Sequence, residues 1–462
     1  MLKLHTIDFV LVGGYLLFLA IITWRTRHEA EGSESGYLLA GRRLTLPAFV
    51  ATLVSTWYGG ILGVGEYSFL FGISNWLVFG VPYYLAALIY ALFLAGRVRV
   101  SAVASIPDQL EKAYGRTPAL IGASVVFVMT VPAAYVLMIG VLLKAVFGGS
   151  LALWVILGTL FSSVYVAFGG LRSVVRTDVL QFLLMYLGFA LLAGFSMHHF
   201  GGIEKLASSL PAEHMTWNGG LPIASILVWY VIALSTLVDP AFHQRCSAAR
   251  TPAIARRGIL VSVGFWVLFD AMTTLTGLYA RAVLGAEAEP MLAYPLLAAE
   301  ILPPGVLGLF LLALVSVILS TVDSFGFLAA QTLGRDIYAR ARGTVQIWDV
   351  RRIQWGLVAS SLLAIGIALW KESVVTIWYD LGSIGTPMLL LPLAGSFLKK
   401  APFKPAWVSI SMIGSGLVAA FWTFTGSYST GGYPFGLQPI MAGLFTAMLL
   451  LIPGLKRNSK SY

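Results

Sequence analysis

The sequence predicts an all-α polytopic membrane protein of about thirteen transmembrane helices, and three observations carry that prediction. Of its 462 residues, 58% are hydrophobic and only 11% are Asp, Glu, Lys or Arg. Soluble domains carry roughly 25% charged residues, so this chain has too few to cover a water-facing surface. Apolar runs long enough for a hydrocarbon core of about 30 Å recur from end to end. The basic residues, finally, gather in every second connecting segment.

That alternation justifies the elements in order. A first run near 7–24 follows Asp8 and is closed by Arg25 and Arg27, and Arg42 and Arg43 precede the next, 45–70. The segment after 76–96 holds Arg97, Arg99, Lys112 and Arg116 before 118–146 opens. Runs 150–168 and 178–197 flank Arg172 and Arg176, and runs 222–242 and 258–280 flank Arg245, Arg250, Arg256 and Arg257. Arg335, Arg340, Arg342, Arg351 and Arg352 separate 303–330 from 352–370. Lys399, Lys400 and Lys404 separate 374–397 from 406–425, and Lys456, Arg457 and Lys460 follow 436–454. These segments hold 25 of the 30 basic residues. Because Lys and Arg collect on the cytoplasmic side, the expected topology has the N-terminus outside and the C-terminus inside the plasma (inner) membrane. With Asp8 before it and no small-residue cleavage site after it, the first run reads as a retained span.

The same pattern explains the net charge of +10 without a nucleic-acid partner. Cys246, the single cysteine, excludes an intramolecular disulfide and is expected at an inner loop. The six histidines sit at chain ends and loops, and no nucleophile–base pair or metal-ligand spacing falls within a span. The reading is therefore not an enzyme, and no organic cofactor is expected. His198, His199 and His214 share an outer loop, where solvated side chains are expected.

Two polar islands interrupt the apolar runs. In VILSTVDSFG, residues 317–326, Val317, Ser320, Thr321 and Ser324 share one helical face and Asp323 lies at its edge. Hydroxyls alone serve as glue between membrane helices, but an added carboxylate suits a small hard cation. Both readings stand on the strip alone. The second island, LVSTWYGGILGVGEY at 53–67, concentrates Gly59, Gly60, Gly63 and Gly65, which weaken a helix. Broken helices release carbonyls that transporters use for ions and substrates. Ser55, Thr56, Trp57 and Tyr58 stand directly before the glycine pair, so two interrupted segments are expected to meet at a central site.

The chain resembles the sodium/solute symporter family, which includes sodium-coupled sugar, proline, sialate and pantothenate transporters. The matching stretches are LAGRRLTLP before the second span, AFGGLRSVVRTDVLQ at 167–181, DPAFHQRCSAA at 239–249, and ILSTVDS with GRDIY at 318–338. The resemblance implies a single transmembrane domain with a LeuT-type inverted-repeat core. Its first repeat would cover 45–197 and its second 222–397, with 7–24 added in front and two spans, 406–454, behind. It implies a sodium site made by carbonyls of Leu53, Thr56 and Val317 and hydroxyls of Ser320 and Thr321. Asp178, Asp323 and Ser324 match a second cation site found in some members. Gly60 and Phe79 fall where galactose-transporting members place Gln and Glu, so a close copy of that sugar site is not expected.

The expected solute pocket comprises Ser55, Trp57, Tyr58, Gly59, Gly60, Trp229 and Ser235, with Tyr230 nearby. Glu66, Asp270 and Asp380 are acidic residues in or near spans that this reading leaves without a role. The function so implied is inward sodium flow coupled to uptake of a small polar organic solute, by a protein acting as a monomer in the bilayer. A proton-coupled carrier titrating Asp178 and Asp323, or a transport-derived sensor, remain the alternatives.

Overall fold

The computed structural model describes residues 4–30, 33–371, 373–428 and 433–456. Among the described residues, ten helices are long and apolar enough to cross a membrane, and shorter apolar helices at Thr6–Leu19, Leu151–Val164 and Pro439–Gly454 stand at the other expected spans. In chain order the membrane helices are α1 (Thr6–Ala30), α2 (Leu46–Ser74), α3 (Trp76–Ser101), α4 (Arg116–Phe147), α5 (151–169), α6 (Gly170–Phe200) and α7 (Ile223–Ala248). They continue as α8 (Pro252–Leu284), α9 (Val306–Ala339), α10 (Val350–Lys371), α11 (Val374–Ser396), α12 (Pro405–Gly426) and α13 (Pro439–Gly454).

Helices α2 and α9 occupy the centre, with 89% and 83% of their apolar windows enclosed by protein. Helix α9 packs on α1, α2, α5–α6 and α10, whereas α12 and α13 pack on each other and on α11 at the periphery. The breaks fall where the backbone chemistry demands them. Helix α2 tightens into a 3₁₀ turn at Tyr58–Gly60 and resumes at Ile61. Helix α7 tightens over Ala233–Val238, leaves helical geometry at Asp239 and restarts at Pro240. Proline suits a first helical position because it has no N–H to strand there. Helix α9, in contrast, stays regular from Val306 to Gln331. The polar strip of α9 is therefore not a helix break, a correction to the sequence reading; breaks fall instead in α4, at Val131–Pro132, and in α7.

Helices α5 and α6 run on from one another except at Gly170, whose φ of 58° and ψ of −171° lie in a region open to glycine alone. The Ala167 carbonyl beside this break accepts hydrogen bonds from Tyr37 Oη at 3.2 Å and Gln354 Nε2 at 3.3 Å. At one end of α9, Arg335 and Arg340 clamp neighbouring segments. Arg335 reaches Glu34 at 2.5 Å and Asp108 at 3.0 Å, and Arg340 reaches Asp108 at 2.6 Å. Arg245 and Cys246, expected in a loop, lie instead on α7 and are wholly buried. His214 is also buried, bonding the Phe69 carbonyl at 3.0 Å rather than water.

A Cβ at position 170 would sit 2.8 Å from the Tyr37 ring, on top of the backbone strain. Gly170→Ala is expected to cost on the order of 1–3 kcal/mol, read as a lower melting temperature in detergent. Gly194→Ala, where a Cβ meets nothing within 4 Å, is expected to be neutral or mildly stabilising in the same assay.

Candidate functional site

The seam between α2 and α9 is built from short polar side chains that pair across it. Thr321 Oγ1 donates to the Thr56 carbonyl at 2.8 Å and lies 3.4 Å from the Val317 carbonyl. Two residues beyond Thr56 the helix narrows, and a carbonyl at such a point needs a donor to replace its regular partner. Ser320 Oγ lies 3.0 Å from Ser55 Oγ and 2.7 Å from Asp178 Oδ1. Thr56 Oγ1 and Ser324 Oγ are 3.0 Å apart. Helix α6 contributes Asp178, which also accepts a hydrogen bond from Thr52. Gly59 permits this approach, since a Cβ there would fall 2.1 Å from Thr321 Oγ1.

One member of this cluster was missed from the sequence. Arg245, on the restarted half of α7, points its guanidinium into the seam. Nη2 donates to Ser324 Oγ at 2.6 Å and Thr56 Oγ1 at 3.0 Å, and lies 3.4 Å from Thr52 Oγ1. Nη1 donates to Gln244 Oε1 at 3.2 Å. Counted among loop charges, it is in fact a buried cation separated from Asp178 by the Thr52 hydroxyl. Asp239 and Pro240, an N-cap residue followed by a first-turn proline, were the signal that a helix begins here.

The three residues of the second candidate cation site bond different side chains. Asp178 faces Thr52 and Ser320, Ser324 faces Thr56 and Arg245, and Asp323 Oδ1 accepts from Ser162 of α5 at 2.8 Å. Asp323 sits at the edge of the polar face, and that edge turns toward another helix.

Beside the seam lies a cavity of about 200 Å³. Trp57, Tyr58, Gly60, Trp229 and Ser235 line it, as do Leu53 and Thr56. Ser55 and Gly59 do not. Ser55 Oγ donates to the Ala51 carbonyl at 2.8 Å, and Gly59 backs onto Thr321. Further walls come from Tyr83, Tyr135, Phe242, Asp270 and Trp378, none of which the sequence reading placed there. Gly60 belongs to this wall for a steric reason, because a Cβ would meet the Trp378 ring at 1.7 Å. Asp270 accepts a hydrogen bond from Tyr84, which in turn accepts one from Trp76 Nε1 at 3.1 Å. Asp380 pairs with Lys371 at 2.9 Å, away from the cavity.

A narrowed early helix, a broken α7 and an oxygen-lined strip on α9, meeting around one small cavity, define a secondary transporter of the LeuT type. The profile of the sodium:solute symporter family matches residues 37–409, and the chain belongs to that family. It is 26% identical over 448 residues to YidK, an uncharacterized symporter of Escherichia coli, covering 89% of this chain and 77% of that one. It is 27% identical over 400 residues to the high-affinity choline transporter 1 of Drosophila melanogaster, covering 79% of this chain and 62% of that one. The chain thus spans less than two thirds of the choline transporter's length. Its fold matches a substrate-bound, outward-open sodium-coupled sialic acid symporter with a TM-score of 0.78 at 15% identity, over 98% of this chain and 99% of the other.

Removing one member of a buried charge cluster leaves the others uncompensated. Arg245→Ala is expected to destabilise by about 3–5 kcal/mol in thermal unfolding. The Arg245→Ala, Asp178→Asn pair should lose less than the sum of the single changes, by at least about 0.5 kcal/mol.

Proposed function

We propose that the protein couples inward sodium flow to uptake of a small organic solute, with sodium held where α2 meets α9. The ligands would be the carbonyls of Leu53, Thr56 and Val317 and the hydroxyls of Ser320 and Thr321. The observation that carries this reading is the Thr321 hydroxyl lying 2.8 Å from the Thr56 carbonyl and 3.4 Å from that of Val317. Hard cations of this size take oxygens at about 2.3–2.6 Å, which separates neighbouring ligands by roughly 3–3.5 Å. The Thr321 hydroxyl and Val317 carbonyl at 3.4 Å and the Ser55 and Ser320 hydroxyls at 3.0 Å have that spacing. The hydrogen bond from Thr321 to the Thr56 carbonyl would open to admit the ion, and all are hard donors suited to group-one ions.

The position of Arg245 favours one sodium over two. Its guanidinium is bonded to Ser324 and Thr56, and Asp323 is engaged by Ser162, so the residues of a second site already have partners. The carrier is read as a monomer in the inner membrane, N-terminus outside and C-terminus inside, with α2–α6 and α7–α11 as inverted halves. Sodium would enter with about 2.3 kcal/mol per charge for each 100 mV of membrane potential. By drawing α2 and α9 together it would favour the arrangement in which Trp57 and Tyr58 frame the cavity, a population shift.

Sodium chloride is expected to stabilise the purified protein against heat more than potassium chloride at equal ionic strength. Ser320→Ala with Thr321→Ala should weaken that sodium response at least about tenfold in half-saturating concentration, equivalent to roughly 1.4 kcal/mol. Equal stabilisation by both salts, or an unchanged response in the double variant, would count against the site.

A further inference from the structure

The relatives named above carry a choline and a sialic acid, so kinship leaves the solute's charge open and the cavity itself must decide it. We infer that the solute is a small organic cation, an ammonium compound, whose charge is met by Asp270 and by the surrounding aromatic rings. The inference rests on the carrier reading and narrows it.

Among its 25 lining residues are two carboxylates, Asp239 and Asp270, and no Lys, Arg or His. Asp239 is occupied, since its Oδ1 accepts from the backbone N–H groups of Ala241 at 2.7 Å and Phe242 at 3.1 Å. It caps the restarted half of α7, so the helix N-terminus that would otherwise attract an anion is satisfied by the protein's own carboxylate. The nearby guanidinium of Arg245 is held by Thr56 and Ser324 and is not part of the wall. An anionic solute would therefore meet negative charge and no fixed cation.

Asp270 is different. It sits deep in α8, 4% exposed, and its partners are neutral hydroxyls, that of Tyr84 and that of Tyr58, with no counter-charge among them. Asp380 shows the contrast, with Lys371 2.9 Å away; among the described residues no Lys or Arg forms such a pair with Asp270. A carboxylate buried at membrane depth is costly and characteristically faces a partner or a pathway. Here the cavity is what it faces, and a cationic solute supplies the missing charge.

Ten of the lining residues are aromatic, which gives the cation its second form of support. Trp57 lies 5.4 Å from Tyr83 and 5.5 Å from Phe242, ring centre to ring centre, and Phe79 lies 4.8 Å from Trp229. Ring faces attract ammonium groups within about 6 Å, most strongly when water is excluded. A neutral polyol could also engage the wall's hydroxyls and indoles, but it would leave the Asp270 carboxylate without a counter-charge.

The test uses the full-length protein in detergent and reads ligand-induced thermal stabilisation and equilibrium affinity. The probes are tetramethylammonium, ethanolamine and choline, with 3,3-dimethylbutan-1-ol as the uncharged shape-match of choline. In sodium, at least one ammonium compound is expected to bind, and the neutral alcohol to bind at least about tenfold more weakly than choline. Asp270→Asn should weaken the ammonium response at least about tenfold while leaving stabilisation by sodium alone intact. The probe pair on the unaltered protein decides the matter if that variant folds poorly. No response to any of the three ammonium compounds, equal binding of alcohol and choline, or an unaffected Asn variant overturns the proposal. Loss of the sodium response in the unaltered protein would instead strike the carrier reading, and the two failures are read on separate axes.

Discussion

The hydroxyl of Thr321 placed against the carbonyl of Thr56 ties two central helices together through a polar contact in a region where polar groups are expensive. In hydrocarbon every backbone donor and acceptor has to be satisfied within the protein. A helix that narrows, as α2 does at Tyr58–Gly60, disturbs its own ladder and must find replacements. Helix α9 supplies one by presenting hydroxyls at Ser320, Thr321 and Ser324 on a single face. The contact closes only because Gly59 has no side chain. Sequence, local backbone geometry and packing thus converge on one crossing point, and the enclosure of α2 and α9 by the remaining helices keeps that crossing away from lipid.

The buried charges around this point form a compensated set. Arg245 donates to hydroxyls of both α2 and α9, and Asp178 accepts from hydroxyls of the same two helices. A buried pair of charges is weak evidence for stability, because desolvation offsets most of the attraction. What such a set does supply is specificity of arrangement. Each hydroxyl is at once a donor and an acceptor, so Thr52, Thr56, Ser320 and Ser324 can exchange partners without any of them becoming unsatisfied. A seam of this kind can tolerate a cation entering or leaving, whereas an apolar seam could not.

Much of the architecture was legible in the chain because hydrophobic length and loop charge report directly on the membrane. The run ends, the polar face of α9 and the glycine pair of α2 all follow from residue spacing. Loss of information began where one element's meaning depends on another. Arg245 obeys the loop-charge rule by composition yet belongs to a helix that begins at Pro240. Asp323 lies at the margin of the polar face, and a helical wheel cannot say which neighbour that margin meets; Ser162 of α5 answered it. Asp270 had no local pattern at all. Its significance comes from Tyr84, 186 residues earlier, and from rings contributed by several helices.

The coupling of ion and solute follows from how closely α2 packs its two tasks. Leu53 and Thr56 are among the residues that line the cavity, and their carbonyls belong to the proposed ion site. Trp57 and Tyr58, the next two residues, face the cavity, and Tyr58 anchors itself by donating to the Trp266 carbonyl of α8 at 2.9 Å. A shift of α2 against α9 therefore cannot change the ion site without also moving rings of the cavity wall. Because α8 carries both Trp266 and Asp270, the same movement bears on the carboxylate opposite those rings. No long relay is needed to connect the two sites; the segment from Leu53 to Tyr58 of one narrowed helix contributes residues to both.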